Sequence, residues 1–278
     1  MTTLRRFVAE PPDVPMVAAW YLADLFEARG RQESFARRSP QRLQSLRENA
    51  MIESAVSSNR IEGVEIEASR AQAVVLGKPR LRDRNEEEVR GYRDALELIH
   101  EKHQALEVAE GSIRELHSLS RGRSGDAGEY KHRDIDIVER YPDGRSRVRF
   151  KTVPAEGTPA AMAELISLWN AIDEEQRLHP LLAAAAFNLD FLCIHPFRDG
   201  NGRVSRLLLL LQCYHLGFGV GRYISLERIV EQNAERYYET LEQSSQGWHD
   251  NRHDPWPYMT YLLFVLKTAY QELERAIG

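Results

Sequence analysis

Twelve consecutive residues, His195-Pro-Phe-Arg-Asp199-Gly-Asn-Gly-Arg203-Val-Ser-Arg206, hold most of the chemistry this chain can offer. Gly200 and Gly202 let the backbone approach a ligand closely, and Asn201 between them tolerates a tight turn and can donate through its amide. A helix opening at about Arg203 would aim its free N–H groups and the positive end of its dipole into that turn, which favours phosphate there. Arg203 and Arg206, three residues apart on the first turn, can hold phosphate oxygens in two places. Asp199 would be repelled by such a ligand unless a cation lay between them, and its hard carboxylate oxygen suits Mg²⁺. His195, with an ordinary pKa of about 6.5, can take a proton from an incoming hydroxyl at neutral pH. Each residue alone has a bland reading as a core histidine or a solvated arginine, but seven such residues in one short turn do not.

A loop of this kind needs a rigid frame, and the flanking segments Leu181–Ile194 and Arg203–Leu216 are apolar enough to be core helices. In Glu86–His103, Val89, Tyr92, Leu96 and Ile99 recur at helical spacing and form one buried stripe. A helical stretch from Pro40 to about Val75 breaks at Gly63, where a left-handed cap fits. Further helices are expected at Pro159–Ile172, Leu226–Gln232, Ala234–Gln243 and Trp256–Ala276. Only residues 134–152 alternate as a hairpin does, with Ile135 and Ile137, a Tyr-Pro-Asp-Gly turn at 141–144, then Val148 and Phe150. Residues 1–15, with Pro11, Pro12 and Pro15, read as an extended surface arm before a helix that opens near Met16.

Bulk properties narrow the class. A net charge of −5 argues against general nucleic-acid binding. Cys193 and Cys213 both lie in apolar runs, as buried thiols do, rather than in the spacing of a disulfide or zinc site. The longest apolar run, Leu207–Leu211, is far too short to span a bilayer, and no signal peptide is visible, so a cytoplasmic location is expected.

The loop resembles the signature of the Fic family, His-x-Phe-x-(Asp or Glu)-Gly-Asn-Gly-Arg-x-x-Arg, with every specified position filled. The resemblance implies a mainly α fold, a Fic-type helical bundle with one small β-hairpin flap. It divides the chain into an N-terminal helical region at 1–110 and a catalytic core with C-terminal helices at 111–278. It implies a protein adenylyltransferase that moves AMP from ATP to a Tyr, Thr or Ser hydroxyl and releases pyrophosphate. In that scheme His195 is the base and Asp199 holds Mg²⁺, while Gly200, Asn201 and Gly202 bind phosphate oxygens and Arg203 and Arg206 grip the outer phosphates. The segment around Asn233, Tyr237 and Tyr238 resembles the family's stretch beside the adenine, and residues near Phe150–Val153 its target-binding flap. Lys131 departs from the pattern, because many relatives carry Arg there, and no catalytic role is expected for it.

Upstream, Ser58, Glu62 and Gly63 resemble the family's inhibitory motif, (Ser or Thr)-x-x-x-Glu-(Gly or Asn), on a helix spanning about 45–63. Four-residue spacing puts Ser58 and Glu62 on one helical face, from which Glu62 can pair with Arg206 and displace a phosphate. Two other activities stay open: removal of AMP from a modified protein, with Glu62 positioning water, and a nucleotide-sensing module without turnover. The partners expected are ATP, a target protein at the flap or the chain itself as acceptor, and a second copy of the chain. No membrane partner is expected. Many relatives continue into a winged-helix module after the last core helix, whereas this sequence stops at Gly278, so no nucleic acid is expected either.

Overall fold

The computed structural model describes residues 2–38, 40–122, 125–140, 144–172 and 178–277. Among them, twelve α-helices and one two-stranded sheet make a mainly α protein. In order these are α1 (Thr3–Ala9), α2 (Met16–Arg38), α3 (Pro40–Ile61), α4 (Ala68–Leu76), α5 (Arg84–Lys102), α6 (Glu110–Arg121), β1 (Asp136–Arg140) and β2 (Ser146–Lys151). Then come α7 (Thr158–Asn170), α8 (Pro180–Ile194), α9 (Asn201–His215), α10 (Leu226–Gln232), α11 (Ala234–Ser245) and α12 (Trp256–Ile277). No helix among the described residues is long and apolar enough to cross a membrane.

Helix α8 is the central pillar, with every residue from Leu181 to Ile194 buried. A helix apolar on all sides can satisfy that pattern only by being surrounded, and α1, α7, α9, α11 and α12 pack around it. Pro180 opens α8 at its first turn, where the missing N–H costs nothing. Helix α9 runs back beside it, so the loop between them leaves one core helix and enters another.

The N-terminal arm differs from expectation. Residues Thr3–Ala9 are helical rather than extended, and Leu4 and Phe7 are buried instead of lying on the surface. The cause is a tertiary partner: the Thr3 and Leu4 N–H groups donate to the Asp190 carboxylate of α8 at 2.9 and 2.8 Å, and the Trp248 indole donates to it at 2.7 Å. Burial raises the Asp190 pKa above the ordinary carboxylate value, and these donors are what make a carboxyl group tolerable there. Phe7→Ala should therefore lower unfolding stability by about 3 kcal/mol, as a buried aromatic does. Urea denaturation measures it, and a loss below about 0.5 kcal/mol, the ordinary size for a surface change, would mean the arm is not part of the core.

The hairpin pairs antiparallel, with Ile137 opposite Phe150, a bulge after Ile137, and then Val138 opposite Val148. Residues 141–143 of the expected turn lie outside the described residues. Ile137 and Phe150 are half-buried while Val138 and Val148 face solvent.

Candidate active site

The loop opens at His195, the C-cap of α8, whose φ of 54° and ψ of 62° lie in the left-handed region. For a non-glycine residue this costs roughly 1–2 kcal/mol and persists only where neighbours over-determine it. Asn201 closes the loop by accepting from the Phe197 N–H at 2.9 Å and donating to the Phe197 carbonyl at 2.8 Å. The oxygen and one N–H of its side-chain amide thus serve the loop's own backbone, and the second N–H is its remaining donor. Gly200 caps α9 with φ of 81°, a value that only glycine adopts without strain. The first intrahelical bond runs from Val204 to Gly200 at 3.0 Å, so the N–H groups of 201–203 face the loop mouth as an anion cradle.

This chain's own Glu62 carboxylate lies over Gly202 at the start of α9. Helix α3 ends in a Schellman motif, with Gly63 N–H bonded to Arg60 O and Val64 N–H to Asn59 O, both at 3.0 Å, and φ of 77° at Gly63. That places Glu62 at the cap, where its Oε1 would collide with a Cβ built on Gly202. Arg206 Nη2 donates to Glu62 Oε1 at 2.8 Å and to the Ser58 carbonyl at 2.9 Å, and its Nε donates to Ser58 Oγ at 2.9 Å. The Ser58 and Glu62 spacing therefore closes on one arginine. Burial opposes the charge on Arg206, but Glu62 beside it holds the guanidinium protonated.

The two arginines do not form the joint clamp that their spacing suggested. Arg203 is 1% exposed and points into the protein, where it pairs with Glu88 and donates to Asn59 Oδ1 at 3.0 Å. A three-residue step turns the two side chains to different neighbours, Arg203 toward α5 and Arg206 toward the end of α3. Glu88 is itself buried and also meets Arg84 at 2.8 Å and Arg121 at 3.4 Å.

Arg121 and His117 of α6 finish the frame. Arg121 Nη1 donates to Asp199 Oδ2 at 2.7 Å, while Gly200 N–H donates to Asp199 Oδ1 at 2.6 Å. Burial would raise the Asp199 pKa, but Arg121 and Arg203 outweigh it and hold the carboxylate ionised below its usual range. The His117 ring stacks on Phe197 at 3.7 Å, accepts from Gly128 N–H on Nδ1 at 2.8 Å, and so donates from Nε2 to the Asp199 carbonyl at 3.0 Å.

A cavity of about 310 Å³ lies against the cradle, near the lower end of small-molecule site sizes. His195, Glu62, Gly202, Tyr237 and Tyr238 line it on one side, and Ile137, Arg149 and Phe150 of the hairpin on the other. Tyr238 also donates to the Ile61 carbonyl at 2.9 Å, tying α11 to the end of α3. Asn233 lies outside this wall, because its amide donates to Ile229 O at 2.8 Å and stays on the local backbone. Among the described residues, buried side-chain nitrogens of the loop and its frame without a hydrogen-bond partner are Arg206 Nη1, Arg203 Nε, Arg121 Nε and His195 Nδ1. Burial, then the Lys131 charge, lowers the His195 pKa to about 4, leaving a neutral imidazole at pH 7.

Glu88, Arg121, His117 and Asn59 escaped the sequence reading. The signal for Glu88 was present, since it stands four residues before Tyr92 on the apolar stripe of α5, where a charge must have a partner. His117 and Arg121 likewise share the buried face of α6 with Ile113 and Leu116.

The site is thus a turn between two core helices of a mainly α protein, with a histidine on one side and a hairpin across the cavity. Residues 107–213, which include the loop from His195 to Arg206, match the Fic/DOC family. It is 27% identical over 146 residues to a protein adenylyltransferase Fic of Drosophila grimshawi, covering 52% of this chain and 27% of that protein. A protein adenylyltransferase Fic of Nematostella vectensis is 26% identical over 201 residues, covering 68% of this chain and 42% of the relative. These matches span less than half of either relative's length. Among solved structures, a Fic family protein from Desulfovibrio desulfuricans G20 superposes with a TM-score of 0.76 at 26% identity, over 95% of this chain and 76% of that one.

Because Glu62 fills the space above Gly202, Gly202→Ala should push the carboxylate aside yet occupy the cradle itself. The expected result is nucleotide binding weakened by at least about tenfold, the equivalent of 1.4 kcal/mol. Calorimetric titration with MgATP against Glu62→Gly separates the two effects, and equal affinities in the two variants would place the nucleotide elsewhere.

Proposed function

We propose that this chain is a protein adenylyltransferase restrained by its own α3, transferring AMP from ATP to a Tyr, Thr or Ser hydroxyl of a target protein or of itself. The observation that carries the reading is the Glu62 carboxylate at the N-terminus of α9, over Gly202 and against Arg206. An anion already rests where a phosphate would, beside a neutral histidine that opens on the same cavity. The two curated relatives, both named adenylyltransferases, support the same chemistry.

In this reading the acceptor hydroxyl gives its proton to His195, its oxygen bonds to the α-phosphorus, and the bond to the bridging oxygen breaks as pyrophosphate leaves. Helix α9 N–H groups and Arg206 stabilise the charge on the phosphates, and catalysis is mostly positioning and electrostatics. Among the described residues no group of three or more His, Cys, Asp or Glu could hold a metal by itself. Asp199, half-exposed and ionised, nevertheless fits Mg²⁺ that arrives on a nucleotide, since that ion takes one or two carboxylates and completes its shell with phosphate oxygens and water. Bound there, Mg²⁺ would neutralise phosphate charge. In the resting protein Arg121 serves Asp199 as the counter-cation.

The test is label transfer from ATP labelled at either the α- or the γ-phosphate. Protein should acquire the α-label and not the γ-label, and more strongly with Glu62→Gly. Transfer of the γ-label would make the chain a kinase, and no transfer from the released variant across candidate acceptors would leave only a nucleotide-binding module.

A further inference from the structure

We propose that Lys131 is a positioning residue for the transfer step, binding both ends of the hairpin to the backbone around His195 so that acceptor registration and base move as one unit. The inference rests on the adenylyltransferase reading above.

The geometry is a three-way strap. Lys131 Nζ donates to the Ile194 carbonyl at 3.1 Å and to Thr152 Oγ1 at 2.8 Å, and its backbone N–H donates to the Pro196 carbonyl at 2.9 Å. The carbonyls before and after His195 are thus held by the same residue. Thr152 follows β2, and its hydroxyl donates in turn to the carbonyl of Ile135, which precedes β1, at 2.5 Å. Both strands are pinned at their roots through one hydroxyl, while Tyr130 pairs with Phe197 alongside.

His195 sits in the left-handed region, a conformation that needs its neighbours to impose it. Fixing the carbonyls on both sides of it does that. A histidine released from this bracket would favour the ordinary right-handed or extended basins and swing its ring away from the cavity.

A purely structural role explains less. Lys131 is 4% exposed, and its two side-chain acceptors are a hydroxyl and a carbonyl, so the buried ammonium has no carboxylate in hydrogen-bond contact. Burial lowers its pKa to about 8, and a neutral side chain would fill the site at lower cost. What the charge gains lies at His195, where it opposes protonation of the imidazole, with Glu62 and Asp199 pulling the other way.

The experiment compares Lys131→Met, Lys131→Arg and Thr152→Val, each in the Glu62→Gly protein, with MgATP and a protein acceptor. Melting temperatures confirm that the folded forms are compared. In Lys131→Met, kcat should fall by at least about tenfold, since small misplacements of a reacting group cost up to about a hundredfold, with the KM for ATP within about twofold. Lys131→Arg should recover most of the turnover, and Thr152→Val should fall between. Amide exchange in 136–140 and 146–151 should accelerate in Lys131→Met and Thr152→Val, a readout that needs no activity. Unchanged turnover per folded molecule, an Arg variant no better than Met, or unaltered flap exchange would each overturn the strap. Should the Glu62→Gly parent transfer nothing, the functional reading falls while flap exchange still decides the role of Lys131.

Discussion

Glu62→Gly should raise ATP-dependent labelling by about tenfold to a hundredfold and tighten MgATP binding by a similar factor, about 1.4–2.8 kcal/mol. A glutamate at the C-terminal cap of α3 is in local conflict, since the negative end of a helix dipole disfavours a carboxylate. Residues that break a local rule tend to serve something else. Here the offset comes from across the cavity, where the N-terminus of α9 and Arg206 both attract the charge. Any incoming phosphate needs the same two partners, so it must first displace Glu62. Glycine removes that competitor, but it leaves the Arg206 charge buried without its carboxylate, which costs stability in the empty protein. Nucleotide should restore it, so the rise in melting temperature on adding MgATP should be larger in the variant than in the parent. Equal labelling and equal thermal shifts in the two proteins would mean that Glu62 is an ordinary helix end.

What a sequence shows of such a site depends on the range over which each cause acts. The turn between α8 and α9 was legible because glycines, a cap and apolar flanks act within a dozen residues, and they determine loop geometry wherever they occur. Gly63 as the stop of α3 was legible for the same reason. The partners of that turn were not. Asp199 is held by Arg121, and Arg203 by Glu88, from helices 78 and 115 residues away in sequence. Only the anomaly of a charge on an apolar stripe marks them in advance. The arm was misread because Pro11, Pro12 and Pro15 dominate its composition, while the carboxylate that organises Thr3–Ala9 belongs to α8. Lys131 stands where the family pattern puts Arg, so sequence alone gives it no role, yet two of the three N–H groups of its ammonium find acceptors.

His195→Ala should remove transfer almost completely, by about 10²–10⁴ in turnover for loss of a general base, while leaving MgATP binding within a few-fold of the parent. The two halves of that expectation come from different parts of the loop. The cradle is built by Gly200, by the Asn201 bridge to Phe197 and by α9, none of which uses the imidazole. The imidazole has a different task, and burial beside Lys131 prepares it: with a pKa of about 4 the ring is neutral at pH 7 and free to accept a proton. The sign follows directly. A histidine with a lowered pKa keeps its base form through pH 6.5, so the acid limb of kcat/KM in the released enzyme should fall below the ordinary histidine value rather than at it. Protonation stops the reaction but adds a positive charge near the phosphates, so nucleotide binding should not weaken as pH drops through that limb. Loss of binding and turnover together, in His195→Ala or on acidification, would make the histidine a part of the cradle instead of the group that takes the proton.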